Sequence, residues 1–282
     1  MAKKKTAPER QYLRSPLNNP VMNYGVYVMS KAEKFIVSAI AFLAGGCCGL
    51  IFYGDLFMSE GYPTVATYIS NVVFFVALGI LAIKFIVPMY KKNCLEKRSN
   101  TLKKQFRDML ESLAASFSSG SNVQHAFESA YEDLKLQYSP KDLIVLEIQE
   151  IINGMNQNIS VEVMLEDFGK RSGNEDVISF ADVFSVCYRK GGNMNSVVHR
   201  THSVISDKMA VADEIETKLT SNKMQHNIMS VMPIVIVAML RFTNEAFAAN
   251  FATLTGVLVN TLAIGIFVGA YIYGNKIVEI KG

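Results

Sequence analysis

The chain has 282 residues, half of them hydrophobic and only 19% charged, with a formal net charge of +3. A soluble globular protein rarely combines such a composition with charge-free runs of about 20 residues, so membrane insertion is the expectation. So small a net charge argues against a nucleic-acid surface, and Cys47, Cys48, Cys94 and Cys187 lack metal-ligand spacing and read as packing residues.

Residues 1–34 read as a basic cytoplasmic tail, in which Lys3, Lys4, Lys5, Arg10, Arg14, Lys31 and Lys34 face only Glu9 and Glu33. The lead is long for a signal peptide and the apolar run behind it is of spanning length, so an uncleaved anchor is expected. Ser30 and Glu33 have capping-box spacing and start a helix before the first span, about 35–53. Gly45, Gly46 and Gly49 within that span favour close helix contact. Residues 54–66 hold Asp55 and Glu60 and no basic residue. The second span, about 68–87, carries one charge, Lys84, near enough to its end to snorkel. Pro88 and the basic residues from Lys91 to Lys104 are expected to close this hairpin at about residue 90. By the positive-inside rule the N-terminus and the central block are cytoplasmic, and 54–66 lies outside.

Residues 91–222 read as a cytoplasmic helical domain. Leu102, Phe106, Leu110, Leu113 and Phe117 share one helical face, and the run from Ser118 to Asn122 breaks that helix and caps the next. Val123, Ala126, Phe127, Ala130 and Leu134 form a second stripe. Ser139-Pro140-Lys141-Asp142 then predicts an N-cap at Ser139 with proline at the first helical position. The helix that follows, with Leu143, Ile148 and Ile151, is expected to be interrupted near Gly154. A fourth stripe from Val161 to Phe168 stops around Gly173, and a fifth, with Val177, Phe180 and Phe184, stops at Arg189-Lys190-Gly191-Gly192. From Asn193 helical spacing hardly breaks, which predicts one long helix leaving the bundle for the third span. No alternating strand pattern of useful length appears, and a bundle of about six helices is expected. Between Lys91 and Lys223 stand 17 basic and 19 acidic residues, a net of −2, as suits a solvated domain.

Residues 223–282 read as a second transmembrane hairpin, with spans at about 225–242 and 252–273. The apolar core of the third, Ile228 to Leu240, is short, contains Pro233 and stops at Arg241. Gly265 and Gly269 form a GxxxG that favours close helix packing. The fold class is thus all-α and polytopic, two transmembrane hairpins flanking a cytoplasmic six-helix bundle.

No P-loop, HExxH or GxSxG occurs, and no convergent titratable groups stand out, so no catalytic, cofactor or metal residues are expected. His199 and His202 lie at i, i+3 without an evident third ligand and read as a solvated helix face, as do His125 and His226. Arg189, Lys190, Gly191 and Gly192 are a plain helix stop and also the candidate contact for a partner.

The order of these features resembles the Tad-type (Flp) pilus platform proteins of the type II secretion F domain family. The residues that carry the resemblance are Leu110-Glu111-Ser112-Leu113, Ser119-Gly120, Val123 with Ala126, and Asn153-Gly154. Val163-Met164-Leu165 before Phe168, Asp176 with Phe180, and Gly191-Gly192 ahead of a long helix complete the set. The resemblance covers about residues 35–282. The larger platform proteins of this family carry two copies of the domain and this chain has room for one, which points to the Tad branch. The resemblance implies a non-enzymatic inner-membrane scaffold, oligomeric and without a cofactor. Its implied partners are a cytoplasmic secretion or pilus ATPase, a second platform protein of similar layout and pilin subunits, but not nucleic acid. The alternative is a polytopic adaptor or a transporter or sensor component. A transporter needs polar or ionisable groups in its spans, and only Lys84, Asn71 and Asn260 come close.

Overall fold

The computed structural model describes residues 11–56, 64–251 and 253–278. The expected basic tail residues Lys3, Lys4, Lys5 and Arg10, Glu60 and the C-terminal Lys281 lie outside them. The chain is mostly helical, with nine helices among the described residues, and divides into two units. Unit 1 holds residues up to Val28 and Lys91–Val211; unit 2 holds Met29–Tyr90 and Ala212–Gly282.

Unit 1 begins where only a tail is expected. Strands β1 (Tyr12–Arg14) and β2 (Pro20–Met22) pair antiparallel, with Leu13 opposite Val21. Asn18 sits at φ +64° in the turn between them, a conformation asparagine tolerates better than most residues. Three-residue strands are too short to leave an alternating pattern in the sequence. The rest of unit 1 is the C-terminal part of α2 (Val65–Ser118), then α3 (Val123–Gln137), α4 (Leu143–Asn156), α5 (Val161–Ser172), α6 (Glu175–Lys190) and the first part of α7 (Met194–Thr243). The stripes read from the sequence are its core: Leu102, Phe106, Leu110, Leu113, Phe127, Phe168, Phe180 and Phe184 are all fully buried. Each such side chain contributes about 1.5–3 kcal/mol by leaving water. Phe106 meets Phe168 and Phe180 edge-on at centroid distances of 6.1 and 5.6 Å, an arrangement that sets positive ring edge against negative face.

A buried ionic cluster fastens the N-terminal segment to this core. Glu147 and Glu150 lie on the buried side of α4. Arg171 of α5 donates from both terminal nitrogens to the Glu147 carboxylate at 2.7 Å, and from Nε to Asp167 at 2.6 Å. Tyr24 donates its hydroxyl to Glu147 at 2.7 Å, and Arg171 donates also to the Met22 carbonyl. Ser15 and Asn19 donate to Glu150. Burial alone would lower the Arg171 pKa, but the carboxylates of Glu147 and Asp167 hold it above its ordinary value. Burial, and then the Glu147 charge, push the Tyr24 phenol well up, so it stays a donor.

Unit 2 contains α1 (Lys31–Tyr53), the first part of α2, the rest of α7, α8 (Glu245–Phe251) and α9 (Leu254–Val278). Among the described residues four helical stretches are long and apolar enough to cross a membrane: Lys31–Tyr53, Val65–Ser118, Met224–Thr243 and Thr255–Gly274. Their large side chains are outward, as with Phe35, Phe85 and Phe242, each at least 74% exposed. The helices α1 and α2 approach closely through glycine. A Cβ at Gly45 would lie 2.5 Å from the Ala82 Cβ and 2.8 Å from the Leu78 carbonyl oxygen, and one at Gly46 would enter the Phe75 ring.

Several expected boundaries move. Pro88 does not end the helix that carries the second span: α2 runs unbroken for 54 residues through it, and the two units divide at Tyr90 and Lys91. Proline removes one backbone bond, to the Lys84 carbonyl, but Lys91, Lys92, Leu95, Glu96 and Lys97 behind it are strong helix formers. Ser139 is not an N-cap. Ser139–Asp142 is a β-turn with proline at its second position, closed by Asp142 N–H to Ser139 O at 2.9 Å, and Asp142 precedes α4. Gly154 does not interrupt α4 but lies buried inside it, because a Cβ there would meet the Met164 side chain at 2.6–2.9 Å. Gly265 and Gly269 have no atom within 4 Å of where a Cβ would stand, so their GxxxG packs against nothing among the described residues.

Two outcomes follow. Arg171→Ala, which leaves Glu147 buried without its cation, lowers stability by about 3–5 kcal/mol, read as the helix signal on denaturation in detergent; an unchanged midpoint would deny the cluster its role. Gly45→Val lowers the thermal midpoint of the solubilised chain while Gly265→Ala leaves it within about 0.5 kcal/mol of wild type; equal effects would contradict the packing difference.

Candidate functional site

Two turns of unit 1 are built alike and lie side by side. At the end of α2, Gly120 takes φ +83° and Ser121 N–H reaches back to the Ser116 carbonyl at 3.2 Å. At the end of α6, Gly191 takes φ +68° and Gly192 N–H reaches back to the Cys187 carbonyl at 2.8 Å. Both are left-handed helix stops that satisfy otherwise orphaned carbonyls. Each is followed by an asparagine that caps the next helix: Asn122 Oδ1 accepts from His125 N–H at 2.8 Å, and Asn193 Oδ1 from Ser196 N–H at 3.0 Å. The two turns thus share the order Gly-x-Asn. Ser118 Oγ donates to Asn195 Oδ1 at 3.1 Å and joins them.

Together they wall a cavity of about 660 Å³, lined by Phe117, Val123, Tyr188 and Met194 and by the polar groups of Ser121, Asn122, Asn193 and Asn195. Its hydroxyl and amide side chains are hydrogen-bond donors and acceptors, and among the described residues no carboxylate or imidazole lines it. Arg189 and Lys190, in the last turn of α6, are exposed, and Arg189 donates to Ser185 Oγ at 2.5 Å. Of the residues singled out in the sequence, Gly120, Gly191 and Gly192 therefore meet at one cavity, with Arg189 and Lys190 directly before Gly191 in the chain. Leu110, Leu113, Ala126, Phe168 and Phe180 do not join them: they are at most 1% exposed and hold the core that positions these turns. Asp176 is also elsewhere, at the start of α6, where burial would raise its pKa but Lys208 and Lys103 hold it below the ordinary carboxylate value.

Unit 2 has a polar cluster that the sequence did not reveal. Arg241 donates to the Leu50 and Ile51 carbonyls at 2.9 and 2.6 Å and to Asp55 at 2.9 Å, so its charge complements the carbonyl end of α1, where Gly54 N–H also reaches Leu50 O. Asn71 accepts from Asp55 N–H, Asn260 donates to the Phe52 carbonyl, and Tyr53 hydrogen-bonds Thr261. Arg241, near the end of the third span expected at about 225–242, is thus a fastening point, and the helix ends at Thr243. The only signals were negative ones: a charge closing an apolar run here, and acids on an apolar stripe at Glu147 and Glu150. Both are costly unless paired.

No protein-family model, curated protein or solved structure matches the chain. What the fold defines is the class: a mostly helical membrane protein with four helices long and apolar enough to span.

Because open space surrounds Gly191, substitution there is resisted by backbone conformation alone. Gly191→Val costs about 1–2 kcal/mol and Gly191→Asn distinctly less, measured by denaturation; equal losses would mean that a steric contact, and not φ, holds the glycine.

Proposed function

We propose that this chain is a non-enzymatic platform protein of a Tad-type pilus or related type II secretion machine. It would couple a cytoplasmic assembly ATPase to extraction of pilin subunits from the membrane. What carries the reading is the layout: two pairs of apolar helices bracket a helical unit, and α2 and α7 each belong to both units. A helix common to both is a means of passing displacement from one to the other. In this account the N-terminus and unit 1 are cytoplasmic, supported by the basic residues of 1–34 and 91–104 and by their absence from 54–66. The Gly-x-Asn cavity with Arg189 and Lys190 is the surface offered to the ATPase. Two of the three polar groups within the apolar helices, Asn71 and Asn260, are used up on the end of α1, which favours a scaffold over a transporter.

Replacing Arg189 and Lys190 together by glutamate tests the docking surface. The expected result is normal membrane insertion with at least about tenfold less ATPase co-purified, as for loss of an interface hot spot, and no filament. Undiminished filament assembly after this change and after a scan of the cavity rim would sink the proposal.

A further inference from the structure

Unit 1 carries a knob and a hole of opposite charge that do not meet within the chain. Leu136, near the end of α3, is 90% exposed. One turn before it stand Glu132 and Asp133, at the i−4 and i−3 positions that share its face. Lys135 folds back onto Glu132 at 2.9 Å and over the Tyr131 ring, while Asp133 has no ion-pair partner among the described residues. The surface around Leu136 is therefore an apolar tip beside an uncompensated acid.

Between α6 and α7 lies an open groove of about 530 Å³. Phe180, Val183, Val204 and Ile205 make its apolar lining, and Val183 and Val204 are nearly half exposed. Arg200 and Lys208 line it as well. Lys208 is engaged by Asp176 at 2.5 Å, and Asp176 is shared with Lys103; Arg200 has no ion-pair partner among the described residues. The groove is thus a hole for an aliphatic side chain beside an uncompensated base.

We infer that unit 1 self-associates head to tail: Leu136 of one copy enters the α6–α7 groove of the next, with Asp133 against Arg200. The occupant is a second copy because this chain itself supplies both the apolar tip and the groove, each with the charge the other lacks. The two surfaces are different, so the contact is heterologous, and each copy keeps one free knob and one free groove for a further copy. Such an arrangement builds rings or rows of the membrane protein, whatever the machine it serves. Salt weakens it, since the Asp133–Arg200 pair lies at the surface.

The test uses two tags on the full-length chain, mixed in detergent, with co-purification as the readout. Leu136→Asp spoils the knob and keeps the groove; Val204→Asp spoils the groove and keeps the knob. Each variant alone should lose self-association by about tenfold or more. A mixture of the two should regain it as dimers, because one intact knob still finds one intact groove. That recovery also proves both variants folded. Failure of the wild type to self-associate, full association of either variant alone, or no recovery in the mixture would each overturn the inference. Full association of both variants would mean that the contact lies elsewhere.

Discussion

The last turn of a helix leaves backbone groups without intrahelical partners, and unit 2 is arranged around that constraint. Helix interiors satisfy themselves; helix ends do not. The end of α1 is therefore closed by side chains from three other helical segments: Arg241 on its carbonyls, Asn260 on Phe52, and Asn71 on the N–H of Asp55. Each of these polar residues stands in an otherwise apolar stretch, where its own desolvation is offset by the bond it makes. The same pressure toward close backbone contact explains why glycines are used at the α1–α2 crossing, where even a methyl group would collide.

Unit 1 solves a different problem. Its core is ordinary close packing of aromatic and aliphatic side chains, yet two glutamates are placed on the buried side of α4. They are tolerated because Arg171, Tyr24, Ser15 and Asn19 come to them. Specificity and stability meet here: the N-terminal segment packs Leu17, Met22 and Tyr24 on the core and is held in one register by its hydrogen bonds to those carboxylates. Removing one partner is far more damaging than never having built the pair.

The helical period was legible wherever one face was apolar and the other solvated, and the stops at Gly173 and Gly191 were legible because left-handed glycine follows the last turn. Pro88 stands near the boundary of the two units without breaking α2, because a long helix carries the loss of one bond. Gly154 misled: a glycine can mark a neighbour's approach, here Met164, as well as a break. The hairpin at residues 12–22 left no pattern at all, since its place is fixed by partners more than a hundred residues away. The Gly-x-Asn cavity was half legible. Each turn could be read from its residues, but their meeting depends on how the bundle closes.

The proposed platform role rests on a layout in which a helical unit is bracketed along the chain by two pairs of apolar helices. The central claim, that this scaffold is the platform of a filament-assembly machine, is tested most directly by isolating the detergent-solubilised protein from its native cells and identifying what accompanies it by mass spectrometry. The account predicts a secretion-type ATPase together with a second protein of similar layout. Recovery of transport or signalling proteins alone would contradict it.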